Sequence, residues 1–241
     1  MIEAFAIPDL PEVRPGDDLG ALLAAHDYEP GDVVVVAHKV VSKAEGALRR
    51  LDEVTPTPEA LRLAEDHGKD PRHVQVVLDE SQAVVRAQRG VLICRTHHGF
   101  VCANAGVDVS NAPDAGTVVT LPRDPDASAR ALRAALAHRP AVVIADSFGR
   151  AWRHAQCDVA IGIAGLRHID DWRGRHDANG QELRATAIAI ADETAAAADL
   201  ARDKASREPA IVVRGLAHHV TDEDGPGAAA LVRPPAEDLF A

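Results

Sequence analysis

The sequence predicts an α+β protein of mixed sheets with flanking helices, and three observations carry that reading. Aliphatic, largely β-branched runs at 33–36, 141–145 and 210–214 have the unbroken apolar character of strands buried on both faces. Helix-start signatures stand between such runs, at Thr57-Pro58-Glu59 and again over 125–138. Apolar residues make up 46% of the chain and aromatics only 3%, so the shared core is aliphatic, built on Val, Ile, Leu and Ala. At 241 residues there is ample core material, and no repeat, low-complexity block or long linker divides it. Residues 1–241 are therefore expected to form a single unit.

In order, residues 2–7 read as a short strand leading into a proline-rich turn, Pro8-Asp9-Leu10-Pro11-Glu12-Val13. Asp17 or Asp18 can cap a helix to about residue 26, with Leu19, Leu22 and Leu23 on its apolar face. Pro30-Gly31-Asp32 turns the chain into the 33–36 strand. That strand runs into His38-Lys39-Val40-Val41-Ser42-Lys43-Ala44-Glu45-Gly46, which reads as a solvated loop or a phosphate-facing segment. A helix starting at Thr57 should stop at Gly68, and Asp70-Pro71 begins another element with Val74, Val76, Val77 and Leu78 in the core. Residues 84–86 and 91–94 read as paired strands around Gln88-Arg89-Gly90. The 125–138 helix carries Leu132 and Leu136 at helical spacing, with Asp126 or Ser128 as its cap. After the 141–145 strand, residues 159–166 form another. Asp177-Ala178-Asn179-Gly180 is turn chemistry, because a calcium loop would need a closing Glu. An alanine-rich helix is expected over 182–203, close to its neighbours, with Asp192 and Glu193 on a solvated face or at a polar site.

The balance of 26 basic against 37 acidic residues gives a net charge of −11. That argues against non-specific binding to nucleic acid or to an anionic membrane, while leaving room for a local basic pocket. The start lacks a basic, then apolar leader, and no segment has the length to span a bilayer. Cys94, Cys102 and Cys157 are odd in number and lack metal-type spacing, so they read as buried thiols of a reducing cytosol. The expected location is the cytoplasm.

Two stretches concentrate polar groups in apolar surroundings. In 141–153 a buried strand ends in Asp146 and Ser147, followed by Gly149, Arg150 and Arg153. An acid beside a hydroxyl, with arginines beyond, suits a hard divalent cation and phosphate oxygens; a simple cap after a core strand would look similar. In 96–111, Gly99 and Gly106 permit close ligand approach, and Asn104, Asp108 and Asn111 offer oxygens. The His97-His98 pair has no third partner at zinc spacing and, on an extended segment, would face two ways. Two of the four lysines, Lys39 and Lys43, follow a buried strand, although no glycine-rich loop precedes Lys43 as a Walker motif requires.

Taken together these pieces resemble the coenzyme F420:L-glutamate ligases, GTP-dependent enzymes that add glutamates to a deazaflavin coenzyme. The matching residues are Leu10-Pro11-Glu12-Val13, Val40-Val41-Ser42-Lys43-Ala44-Glu45-Gly46 and His98-Gly99-Phe100-Val101-Cys102-Ala103-Asn104-Ala105-Gly106-Val107-Asp108. Asp146-Ser147-Phe148-Gly149-Arg150, Ala160-Ile161-Gly162, Val213-Arg214-Gly215 and the closing Asp238-Leu239-Phe240 complete the set.

The resemblance implies two interwoven subdomains and a homodimer; some relatives carry a fused nitroreductase-like domain, which is not expected in 241 residues. It implies that Asp108 and Asp146 hold one Mg²⁺ or Mn²⁺ and that Ser147 belongs to a second, with K⁺ left open. Around the GTP it implies Leu10, Pro11, Glu12, Val13, His38, Lys39, Lys43 and Asn111, closed by Arg202, Asp203, Lys204, Ala205, Ser206, Arg207, Glu208 and Pro209. In that last loop some relatives carry a metal-binding Glu; here Asp203 is the acid that could substitute. The implied reaction activates a deazaflavin carboxylate as an acyl phosphate, which the amine of L-glutamate attacks, releasing GDP and phosphate. Two other readings use the same residues: a metal-dependent phosphohydrolase, and a non-catalytic nucleotide or deazaflavin binding module.

Overall fold

The computed structural model of the chain describes residues 1–110, 112–203 and 205–239. Its elements begin with β1 (Glu3–Ala6), α1 (Leu19–Ala24), β2 (Val33–Ala37), α2 (His38–Ala44) and β3 (Leu48–Arg50). Next come α3 (Pro58–His67), α4 (Pro71–Asp79), β4 (Ser81–Gln88), β5 (Val91–Thr96), β6 (Val101–Ala103) and β7 (Thr117–Val119). The chain then forms α5 (Pro125–Ala135), β8 (Ala141–Gly149), β9 (Gln156–Ala164), β10 (Asp170–Asp171), β11 (Ala187–Ile188), α6 (Ile190–Leu200) and β12 (Ala210–Arg214).

Five strands make the central sheet in the order β1-β12-β2-β8-β9; β2 and β8 are parallel and the other neighbours antiparallel. The fold class is the predicted α+β, with mixed sheets and flanking helices. The unbroken valine run of β2 has a direct cause: both faces of the sheet are covered. Val34 and Val36 pack with Leu19 and Leu23 of α1 and with Leu132 of α5. Val33 and Val35 pack on the other side with Ala191, Ala195 and Ala198 of α6. Residues 48–119, between β2 and β8 in sequence, form a smaller lobe. There α3 packs on α4 and α4 on β4, in a cluster that buries Leu63, Val74, Val77, Leu92, Cys94 and Val118.

Local chemistry fixes α3 as expected. The Thr57 hydroxyl accepts the Ala60 N–H at 3.3 Å, Pro58 sits in the first turn, and Gly68 ends the helix at φ 65. Elsewhere the structure differs from expectation. Residues 38–44 are the helix α2 and not a loop; Ala37 supplies no side-chain cap, so no start signal marks it. The cap of α5 is Asp124, whose carboxylate accepts the Ala127 N–H at 2.9 Å, and the helix ends at Ala135 and not at 138. Asp126 instead accepts the N–H groups of Ile163 and Ala228 at 2.8 and 2.7 Å, tying α5 to β9 and the tail. The alanine-rich helix is α6, Ile190–Leu200, shorter than 182–203 because β11 precedes it.

Glu193 is exposed as expected, whereas Asp192 is half-buried and accepts the Ala160 N–H at 2.9 Å, next to the register shift of the β8-β9 ladder. Burial pushes its carboxyl above the ordinary value. Asp146 and Ser147 lie within β8, which continues to Gly149, so the reading of Asp146 as a simple cap fails. His97 and His98 lie in a turn: one ring nitrogen meets the Asp79 carbonyl at 2.9 Å, the other the Pro122 carbonyl at 3.0 Å. Cys94 and Cys102 are buried as expected, but Cys157 is only half-buried. Phe240, the end of the closing motif, lies outside the described residues. Among the described residues no helix is long and apolar enough to cross a membrane.

Candidate active site

Strand order alone brings four distant segments to one end of the central sheet. β2 stops at Ala37, opposite Ala145, while β8 runs on to Gly149 paired only with β9. Beyond Ala145 the flank of β8 is therefore a cleft. β12 starts at Ala210 opposite Val36, so residues 202–209 arrive at the same end, and the Ala37 N–H donates to the Pro209 carbonyl at 2.8 Å. β1 ends at Ala6 opposite Ile211, so residues 8–15 leave from there as well. Ligands of sheets with parallel strands settle beyond the strands' carboxyl ends, and the cavity here lies beyond those of β2 and the paired part of β8.

The cavity has a volume of about 1140 Å³. Leu10, Pro11, Glu12, Val13, His38, Lys39, Lys43, Asp146, Ser147, Arg202, Asp203, Arg207, Glu208 and Pro209 all line it. Asp108, Ala205 and Ser206 are not among its lining residues, and Asn111 and Lys204 lie outside the described residues. Arg14, Arg50 and Asp158 also line it, and sequence reading missed them. For Asp158 a signal existed: an acid in the otherwise apolar 157–164 stretch, beside glycine-spaced aliphatics. Starting that strand at residue 159 left Asp158 outside it, whereas β9 begins at Gln156 and sets Asp158 opposite Ser147.

The first turn of α2 joins the two aspartates singled out in the sequence. His38 Nε2 is 3.2 Å from Asp146 Oδ1, and the next residue, Lys39, sets its Nζ 2.6 Å from Asp108 Oδ2. Asp108 reaches Lys39 through a tight local bend, with Asn104 and Ala105 both left-handed at φ 52 and 53. Gly106 completes it, since a Cβ there would lie 2.7 Å from the Leu121 side chain. Asp108 then exchanges backbone hydrogen bonds with Val119 of β7 at 3.0 and 2.8 Å, while its carboxylate accepts the N–H and O–H of Ser110. Burial works against its charge, but Lys39 and Ser110 together outweigh that and hold the carboxyl below its ordinary value. Lys43, almost buried, pairs with Glu12 at 2.5 Å. Behind the strand, burial and the Asp146 charge push the Cys102 thiol up to about 12, so it is an inert thiol beside the site.

Ser42, His38 and Asp146 are linked in series, but this is not a nucleophile triad. Ser42 is 0% exposed, does not line the cavity, and stands 3.5 Å from His38 Nδ1. The cavity lining instead mixes six basic residues, Arg14, Lys39, Lys43, Arg50, Arg202 and Arg207, with the acids Glu12, Asp114, Asp146, Asp158, Asp203 and Glu208 and the Ser147 hydroxyl. The basic side chains of this lining suit the oxygens of an anionic polyphosphate. The donors Asp108, Asp146, Ser147 and Asp158 all offer oxygens, the chemistry of Mg²⁺ or Mn²⁺ and not of a soft metal. Among the described residues no three His, Cys, Asp or Glu are grouped to hold a metal ion; the neighbours of Asp108 and Asp146 are Lys39 and His38.

A sequence model of the family described as F420-0:Gamma-glutamyl ligase matches residues 9–215. The chain is 47% identical over 236 residues to a coenzyme F420:L-glutamate ligase of Methanopyrus kandleri, covering 95% of this chain and 93% of the relative. Against a protein of the same name from Methanothermobacter thermautotrophicus the figures are 42% over 250 residues, 99% and 98%. Against one from Methanocaldococcus jannaschii they are 38% over 239 residues, 96% and 94%. With the family match running through every segment that forms the cavity, from residue 10 to residue 209, the chain belongs to the F420-0:gamma-glutamyl ligase family.

Proposed function

We propose that the protein is a GTP-dependent ligase that adds L-glutamate to a deazaflavin coenzyme F420 precursor through an acyl phosphate. The observation that carries this reading is the cavity itself, where six basic side chains gather with Asp146 and Ser147. A carboxylate is a poor acyl donor because oxide is a bad leaving group. Transfer of the γ-phosphoryl group of GTP to that carboxylate replaces oxide with phosphate. The α-amine of L-glutamate then attacks the acyl carbon, the amide forms, and phosphate leaves; GDP is the other product.

Chemistry of this kind asks the protein for positioning and charge neutralisation more than for covalent participation. Lys39, Lys43, Arg202 and Arg207 would hold phosphate oxygens, and Leu10, Pro11, Glu12 and Val13 would flank the nucleotide. Asn111 and the 202–209 segment, Lys204, Ala205 and Ser206 included, belong to the same reading. Asp108 and Asp146 would hold one Mg²⁺ or Mn²⁺ and Ser147 would belong to a second; such ions, when bound, neutralise the phosphates and align the transfer. A homodimer, a second divalent ion and K⁺ belong to the same reading; light scattering tests the first, and activity against metal and K⁺ concentration the others.

The test is incubation of purified protein with GTP, Mn²⁺, L-glutamate and the unglutamylated deazaflavin, with product masses and GDP read together. Glutamyl products and GDP in equal amounts are expected. GDP and phosphate formed without glutamate incorporation would instead make the protein a phosphohydrolase. Asp146→Ala should abolish glutamate addition and leave the melting temperature near that of the wild type, because Asp146 is part-exposed on a strand extension. Near-wild-type turnover by that variant would remove Asp146 from the site.

A further inference from the structure

Asp158 is a fully buried carboxylate in the wall of the cavity, with 0% exposure. It sits on β9 directly opposite Ser147 of β8. Its Oδ1 accepts the Ser147 hydroxyl at 2.5 Å, and its Oδ2 accepts an N–H of the Arg202 guanidinium. Arg202 is held a second time, by Asp199 Oδ1, 3.3 Å from its Nε. One acid thus joins β8, β9 and the segment that follows α6. An ion pair buried this deeply carries a large desolvation cost and stabilises a fold no better than apolar groups of the same size, so stability alone does not explain it. These two contacts use two of the five guanidinium N–H groups, and the side chain, 11% exposed, faces the cavity it lines.

We propose that Asp158 is a positioning residue that fixes Arg202 as a stationary cation in the cavity wall, aimed at the terminal phosphates of a nucleoside triphosphate. The proposal rests on the nucleotide reading of the cavity given above. A planar guanidinium gripped on one edge keeps donors for phosphate oxygens on the other. Being already ordered, it loses less freedom on binding than a mobile lysine would. The same carboxylate holds the Ser147 hydroxyl, so the hydroxyl and the cation keep a fixed spacing whether or not the cavity is filled.

The experiment titrates GDP and a non-hydrolysable GTP analogue, with Mn²⁺, into the full-length wild type and into Asp158→Asn, Arg202→Gln and Arg202→Lys. Melting temperatures and the KM values for GTP and L-glutamate are measured alongside. Asp158→Asn keeps the size and an acceptor for Ser147 but removes the charge that holds Arg202. The expected result is that Asp158→Asn and Arg202→Gln each weaken the analogue about 10-fold or more. The KM for GTP should rise while that for L-glutamate changes little, Arg202→Lys should recover part of the loss, and a variant carrying both Asp158→Asn and Arg202→Gln, titrated in the same way, should be no worse than either single one. Nucleotide affinity and KM at wild-type values, with only a lowered melting temperature, would make the pair a structural staple and overturn the proposal. Arg202→Gln decides the matter if Asp158→Asn fails to fold. A wild-type protein that binds no guanine nucleotide would overturn the nucleotide reading itself, and that outcome is visible before any variant is compared.

Discussion

A buried acid keeps its charge when enough specific donors answer it. Asp32, 1% exposed at the start of β2, shows the rule away from the cavity: Arg214 meets it with Nε at 2.8 Å and Nη2 at 2.9 Å, and the Glu29 N–H adds a third bond at 2.8 Å. Burial raises its carboxyl, but the Arg214 hydrogen bond, the Glu29 N–H and the Arg214 charge together win, leaving it below the ordinary 3.8. A group whose value is lowered by folding contributes stability above its unfolded value and loses it as pH falls through the folded one. Asp32→Asn should therefore cost about 2 kcal/mol at pH 7. The difference from wild type should shrink as pH drops below 3.8, and chemical denaturation at a series of pH values reads both. An unchanged gap across that range would show that the pair is not what keeps Asp32 ionised.

At the scale of elements, α6 shows what a helix of alanines is for. Ala191, Ala195 and Ala198 are 0% exposed against Val33, Val35 and Ile211, so the helix lies on the sheet with no long side chain between. Ala195→Leu should overpack that contact and cost about 1–3 kcal/mol, whereas Leu200→Ala, at a position 90% exposed, should stay within about 0.5 kcal/mol. Thermal melts of the two variants decide it, and equal effects would mean that the helix is not closely seated. The extent of α6 was hard to read because alanine suits a helix anywhere and no cap marks its start at Ala189. By contrast Thr57-Pro58 and Gly68 bracket α3 with groups whose chemistry has few other uses, and the expected and observed limits agree. α2 escaped notice for the opposite reason: β2 passes into it without a break, and its first residues also suit a loop.

For the whole molecule, the buried strands were legible because both faces of the sheet are covered, but strand order leaves no mark on local pattern. Asp146 and Lys43 stood out as polar residues at the ends of apolar runs, yet only the order β1-β12-β2-β8-β9 explains why residues 8–15, 38–43 and 202–209 meet them. Asp158 stayed hidden because its partner Ser147 is a cross-strand neighbour, a relation set by register and invisible in spacing. A site assembled this way has a collective signature. If the cavity takes a guanine nucleotide, adding GDP with Mn²⁺ should slow amide hydrogen exchange in residues 8–15, 38–43, 146–158 and 202–209 together, because each supplies part of one wall. The β4-β5-β6 sheet, whose strands contribute nothing to that wall, should exchange as before. Protection confined to one of the four segments would mean that the nucleotide sits on a local loop, and the shared cavity would lose its role. Protection of all four at once, at nucleotide concentrations that follow a single binding curve, is what four segments closing on one ligand require.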